Sequence, residues 1–216
     1  MKIAVYYHCK LSGEGIVDPD FAQLVMAEQM NVLHLSGLLG ALTEFHVGVN
    51  GGDRDARLAE LMAPAPAVVH VHGPSARTEI PTLNLIRARL EPGWFILYHH
   101  SKGITHPNDL FTAHWRRCME KACVRNWTHC IGALVNGSDS AGAHWLSRER
   151  FGPNVTTPFW GGTFWWARSE HLLKLPPLPE PTWANRWEAE SWIGKVTPKV
   201  TDFAPHWPNE PDCSKA

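Results

Sequence analysis

Two neighbouring segments hold the side chains best suited to chemistry: Phe159-Trp160-Gly161-Gly162-Thr163-Phe164-Trp165-Trp166-Ala167-Arg168 and Arg186-Trp187-Glu188-Ala189-Glu190-Ser191-Trp192. Gly161 and Gly162 let a ligand or another backbone come close. Trp165 and Trp166 offer flat faces against which a sugar or a base can stack. Adjacent residues on a strand point to opposite faces, so one of these rings is expected in the core and the other at a pocket. Glu188 and Glu190 can bind hydroxyls or take a proton. Two apart on a helix, they point in different directions, and Glu188 is the preferred base. The plain alternative is a Trp-rich core strand followed by a solvated helix.

A second group follows an apolar run at Trp94–Tyr98. In His99-His100-Ser101-Lys102-Gly103-Ile104, Lys102 beside Gly103 suits an anionic group such as a diphosphate. Ligands of open α/β sheets sit at the carboxyl ends of strands, which is where this loop falls. Arg116 and Arg117 lie near the start of a long helical pattern, where positive charge opposes the helix dipole unless an anion or acid compensates. Asp109 and Glu120 are ordinary ion-pair candidates for them.

The elements that must carry these residues alternate. Strands are expected at Ile3–Tyr7, Phe45–Val49, Ala67–Val71, Trp94–Tyr98, Ala141–Trp145 and Thr163–Trp166. Helices are expected at Phe21–Leu35, Ala56–Met62, Ile80–Leu90, Glu170–Leu175 and Trp187–Ile193, with one long helix over Leu110–Val135. Strand–helix alternation with short connections predicts an α/β fold, a mostly parallel sheet flanked by helices. The 216 residues, 44% of them hydrophobic and 19% charged, suit one soluble domain over 1–204 with a Pro-rich surface tail at 205–216.

The order His-Ser-Lys-Gly, Trp-Arg-Arg, Asp-Ser-Ala-Gly-Ala-His-Trp, Gly-Gly-Thr-Phe-Trp-Trp-Ala-Arg and Arg-Trp-Glu-Ala-Glu-Ser-Trp-Ile-Gly resembles bacterial and phage glycosyltransferase-like proteins similar to the rhamnan-synthesis group. The likeness is clearest over Tyr98–Gly194. It implies a GT-A-type, Rossmann-like nucleotide-sugar fold and transfer of a sugar from a nucleotide donor to the hydroxyl of a glycan or other acceptor. It also implies that Lys102 and Arg116 lie near the diphosphate, that Gly161, Gly162, Thr163, Trp165 and Trp166 lie beside the sugar, and that one of the two glutamates is catalytic.

Such enzymes usually hold a divalent ion through an Asp-x-Asp motif. Asp53-Arg54-Asp55 fits literally, but these aspartates are better placed to cap the helix near Ala56. Asp139, before a strand, is the expected ligand for Mg²⁺ or Mn²⁺, which bind through one or two carboxylates plus phosphate oxygens. In a metal-independent version, Lys and Arg neutralise the leaving diphosphate instead.

Two other classes compete. His70 and His72 share one face of a strand and could bind zinc in a hydrolase. The Trp surface could serve a non-catalytic carbohydrate-binding protein, although such modules are more often all-β.

A formal net charge of −1 gives no global field toward nucleic acid. No apolar run reaches membrane-span length and no signal peptide is evident, so a cytoplasmic protein is expected, its workplace including the inner face of the membrane. Five cysteines without a Cys-x-x-Cys pair argue against a disulfide framework or zinc knuckle. Walker A, G-x-G-x-x-G and G-x-S-x-G patterns are all missing.

Overall fold

The computed structural model describes residues 1–73, 78–152 and 155–204, without the side chains at 150, 151 and 183. The expected tail and Cys213 lie outside the described residues. Strands are β1 (Lys2–Cys9), β2 (Glu44–Val49), β3 (Val68–Val71), β4 (Trp94–His100), β5 (Ser140–Gly142), β6 (Trp145–Leu146), β7 (Phe159–Trp160), β8 (Trp165–Arg168) and β9 (Val200–Asp202). Helices are α1 (Pro19–Leu35), α2 (Asp53–Met62), α3 (Ile80–Arg89), α4 (Leu110–Glu120), α5 (Trp127–Val135), α6 (Arg148–Phe151), α7 (Ser169–Leu172) and α8 (Arg186–Ser191).

A seven-stranded sheet runs in the order β3-β2-β1-β4-β8-β5-β9, and β6 pairs with β7 beside it. Within the seven-stranded sheet only β8 pairs antiparallel to its neighbours, so this is a mixed, mostly parallel sheet. Helices cover both faces, as the alternation predicts. Along β1, Ile3, Val5, Tyr7 and Cys9 enter a core shared with α1, α4 and α5, while Ala4 and Tyr6 enter a second core under α3, α7 and α8. Among the described helices, none is long and apolar enough to cross a membrane.

Local signals act where they should. Asp18 caps α1 by accepting from Phe21 N–H (3.0 Å), with Pro19 as the first helical residue. The long helix expected over Leu110–Val135 is instead two. A π turn at Lys121–Arg125 separates α4 from α5, with Asn126 N–H donating to Lys121 O (3.0 Å). Apolar spacing does not reveal one extra residue in a turn. At this turn the Trp166 indole N–H donates to Cys123 O (2.7 Å), locking the helix pair to β8. The expected strand over Ala141–Trp145 also splits in two, because His144 sits at φ 64° and turns the chain out of the sheet. The short strands β7 and β9 fall below what sequence pattern resolves.

On β2, a Cβ at Gly48 would lie 2.0 Å from Thr82 Oγ1 and 2.6 Å from His72 Nε2. The missing side chain is what lets α3 lie close on the sheet. Gly48→Ala is expected to cost about 1–3 kcal/mol by overpacking, read as a lower urea midpoint at unchanged m-value. A midpoint equal to the parent's would show that α3 yields freely at this contact.

Candidate functional site

The chain leaves β1 for β2 on one side of the sheet and returns from β3 to β4 on the other, so β1 and β4 flank the point where strand order reverses. Connections diverge there and leave a crevice at the carboxyl ends. The structure has a cleft of about 480 Å³ at this place. β1 contributes His8, the residues just past β1 and β2 add Lys10 and Asn50, β4 and its loop give His100 to His106, and α8 Arg186, Trp187 and Glu190.

The cleft's floor is a fixed polar lattice. Glu79 accepts from Tyr98 OH (2.6 Å) and pairs with His100 Nδ1 (3.1 Å), while His100 Nε2 faces Gly162 O (2.9 Å). Burial works against the Glu79 charge, but His100 and the Tyr98 hydroxyl outweigh it and hold its pKa down to about 2. Both His100 nitrogens thus face acceptors.

A second chain runs from Asn50. Its amide nitrogen donates to Thr78 O (2.9 Å) and reaches His8 Nε2 (3.3 Å). His8 Nδ1 then donates to Thr82 Oγ1 (2.7 Å), which is left to donate to His72 Nε2 (2.9 Å). Burial lowers His8 to about 3, so the ring is neutral, as this chain requires. The Asn50 Oδ1 is buried with no partner among the described residues, and Asn50 borders the cleft. An orphaned buried acceptor costs free energy until a donor meets it.

Lys102 lies in the cleft with its Nζ 4.4 Å from the Trp115 ring centroid. Gly103, at φ +88°, shapes the loop, and a Cβ there would meet Thr112 Cγ2 at 2.7 Å. Arg116 is 2% exposed and does not line the cleft. It donates to Lys102 O (3.1 Å) and Glu28 Oε2 (2.9 Å), with Nε 3.5 Å from Glu120 Oε1. The expected partner Glu120 is thus present, and Glu28 comes from α1. Two carboxylates share this guanidinium and are driven apart. Burial, only partly offset by Arg116, lifts Glu120 to about 7. Glu28 loses less solvent, and Arg116 and Arg117 overcome its burial to lower it.

Of the two glutamates, Glu190 borders the cleft. Its pKa is raised by burial first and by the Glu79 charge next, against the pull of Lys102, His100 and Arg186. The preference for Glu188 is corrected. Ala189 and Trp192 pack inward, which turns Glu188 toward Lys195 (2.8 Å) and a separate groove.

The aromatic strand is corrected too. Trp165 and Trp166 do point to opposite faces, but each ends in a core, at 1% and 0% exposure. Thr163 is buried at φ 62°. Gly161 is backed by Leu146, and a Cβ on Gly162 would strike Met119 Sδ at 2.5 Å. These glycines make room for core side chains. Only the Gly162 carbonyl joins the cleft's lattice, through His100.

Asp139 is not at the cleft. Ser140 pairs with Ala167, which pairs with Ile96, so Asp139 lies level with Phe95, roughly 17 Å below His100 along the strand. Its carboxylate accepts from Lys199 N–H (2.9 Å) and fastens β9. Asp53 opens α2, and Asp55 accepts from Gly52 N–H (3.3 Å) and Ser12 OH (2.8 Å), a capping role. His70 contacts His46 (3.0 Å) while His72 contacts Thr82, so the pair does not converge on one point. Among the described residues, no group of three His, Cys, Asp or Glu could hold a metal ion.

No protein-family model and no curated protein matches the sequence. Solved structures do match. A candidate nucleotide-diphospho-sugar transferase from Desulfovibrio desulfuricans G20 superposes with a TM-score of 0.52 at 12% identity, covering 94% of this chain and 80% of that one. Rv0371c from Mycobacterium tuberculosis H37Rv gives 0.48 at 14% identity, over 94% and 87% of the two chains. Its manganese complex gives 0.43 at 11% identity, over the same shares. The first of these shows a shared α/β fold.

Glu120 sets a pH dependence. A carboxyl whose folded pKa is raised contributes stability that is full below its unfolded pKa, near 4.5, and lost as pH rises through about 7. Glu120→Gln keeps the hydrogen-bonding shape without the charge. It is expected to be more stable than the parent by about 1–3 kcal/mol at pH 8, with the gap closing toward pH 4.5. Parallel unfolding free energies across that range would refute the assignment.

Proposed function

We propose that the cleft binds a nucleoside-diphosphate sugar and transfers the sugar to the hydroxyl of a glycan or similar acceptor. One observation carries this reading. Lys102 and Glu190 line the same cleft at the strand-order reversal, so a cation and a carboxylate of raised proton affinity face one bound molecule.

In this reading Lys102, with Lys10 and Arg186 on the rim, receives the diphosphate and offsets the charge that develops as it leaves. The Asn50 acceptor takes a hydrogen from the nucleoside. Glu190 accepts the proton of the attacking hydroxyl, a task for which a raised pKa is suited. No step is assigned to an ion: the side-chain cations carry the electrostatic load in this reading, and Mg²⁺ or Mn²⁺ beside the phosphates is its second form. The resemblance of Tyr98–Gly194 to glycosyltransferase-like proteins and the fold shared with the Desulfovibrio protein support the same reading. Work on glycans in the cytoplasm, from the inner face of the membrane included, belongs to the proposal as well.

A thermal-shift screen against UDP-, GDP-, dTDP- and CMP-sugars, with and without Mn²⁺, tests the donor class. A selective donor adds about 2.7 kcal/mol at a hundredfold excess over its dissociation constant. Lys102→Ala is expected to weaken that binding on the order of tenfold. Glu190→Gln is expected to lower kcat by about a hundredfold to ten-thousandfold with donor affinity nearly kept, while Glu188→Gln leaves turnover near the parent's. No stabilisation by any of the four donors would defeat the proposal, and a loss under tenfold in Glu190→Gln would remove Glu190 as the base.

A further inference from the structure

The loop that presents Lys102 is held from underneath. Gln29 on α1 donates to His100 O (3.1 Å) and is itself fixed by Tyr7 OH (2.8 Å). Arg116 on α4 donates to Lys102 O (3.1 Å). Two carbonyls, one at the end of β4 and one in the loop after it, are thus drawn into the body of the protein by side chains from two helices. The Lys102 ammonium is left on the other side, over Trp115 and in the cleft.

Arg116 is an expensive way to hold a carbonyl. Burying a guanidinium costs several kcal/mol unless partners compensate. Here one edge of the fork goes to Glu28, another nitrogen lies by Glu120, and the remaining N–H group serves Lys102 O. A planar fork with donors in different directions suits two acceptors at fixed angles, Lys102 O and Glu28 Oε2, which a lysine ammonium on a flexible stem does not match. A hydrophobic residue would fill this space at lower cost, so the charge is kept for what it holds in place.

We propose that Arg116 is a positioning residue for the diphosphate. It touches no donor atom, and acts by fixing the Lys102–Gly103 backbone so that the Lys102 ammonium meets the phosphates, with Glu28 locking the guanidinium. This rests on the reading of the cleft as a nucleoside-diphosphate site, and it gives the expected place of Arg116 near the diphosphate an indirect role.

The test is a double-mutant cycle read by calorimetry with UDP, GDP, dTDP and CDP, together with hydrogen exchange of the 100–106 backbone in the ligand-free protein. Arg116→Lys keeps the buried charge and loses the fork. Glu28→Gln loosens Arg116 from outside the cleft, and serves if Arg116→Lys does not fold. Either change is expected to speed exchange of the 100–106 segment, with the rest of β1 and β4 near the parent's protection. Either is also expected to raise the dissociation constant of the bound diphosphate on the order of tenfold.

In a Lys102→Ala background the same changes should add nothing, because Arg116 acts through Lys102. Losses that multiply would mean that Arg116 contacts the ligand, and would overturn the proposal. Unchanged exchange of the loop would overturn it without reference to any ligand. Failure of all four diphosphates to bind the parent protein defeats the donor reading instead. The exchange experiment then still decides whether Arg116 holds the loop.

Discussion

The pairing of β1 with β4 is the constraint on which the rest depends. Their register runs from Lys2 opposite Trp94 to His8 opposite His100. Two parallel neighbours that end level, with their chains leaving in opposite directions, cannot close the space above them. The polar residues at their ends, His8 and Lys10 on one and His100 to Lys102 on the other, therefore meet around a common opening. Ser101 N–H donates to His8 O (3.0 Å), which extends the pairing one step past the strand. Helices α1, α3, α4 and α8 then add side chains to a shape the sheet has already made.

Much of this framework was legible in the sequence because apolar periodicity reports burial. Strands Ile3–Tyr7 and Trp94–Tyr98 read clearly, since both faces are covered and the runs are continuous. Lys102 could be placed for the same reason, as a polar residue just past a buried strand. Arg116 could not. Glu28, one of its carboxylate partners, is 88 residues away in sequence, and the Lys102 carbonyl it serves has no signature in residue type. Asp139 was misplaced because the sequence gives neither the direction in which a short strand crosses the sheet nor its level.

The aromatic segment fails for a different reason. A tryptophan looks the same in sequence whether it lies under a sugar or in a core. Trp165 and Trp166 each face a layer of helices, so this dipeptide joins the two cores across β8. The choice between Glu188 and Glu190 turned on the rotation of a six-residue helix, which Ala189 and Trp192 set by packing. Polar residues alone carry no record of that rotation. The zinc reading of His70 and His72 fails similarly, since sharing a strand face does not make two rings converge.

Asn50, His8, Thr82 and His72 form a row of small dipoles in which each orientation dictates the next. The Thr78 carbonyl can only accept, so it orients the Asn50 amide. The amide selects the tautomer of His8, His8 turns the Thr82 hydroxyl, and the hydroxyl settles which lone pair His72 presents. The row works as a one-way sign, written at a backbone oxygen and read at the sheet's far strands. At the cleft's border the Asn50 amide thus turns its hydrogens inward, and among the described residues its buried oxygen meets no donor, a polarity decided by groups that a visitor never touches.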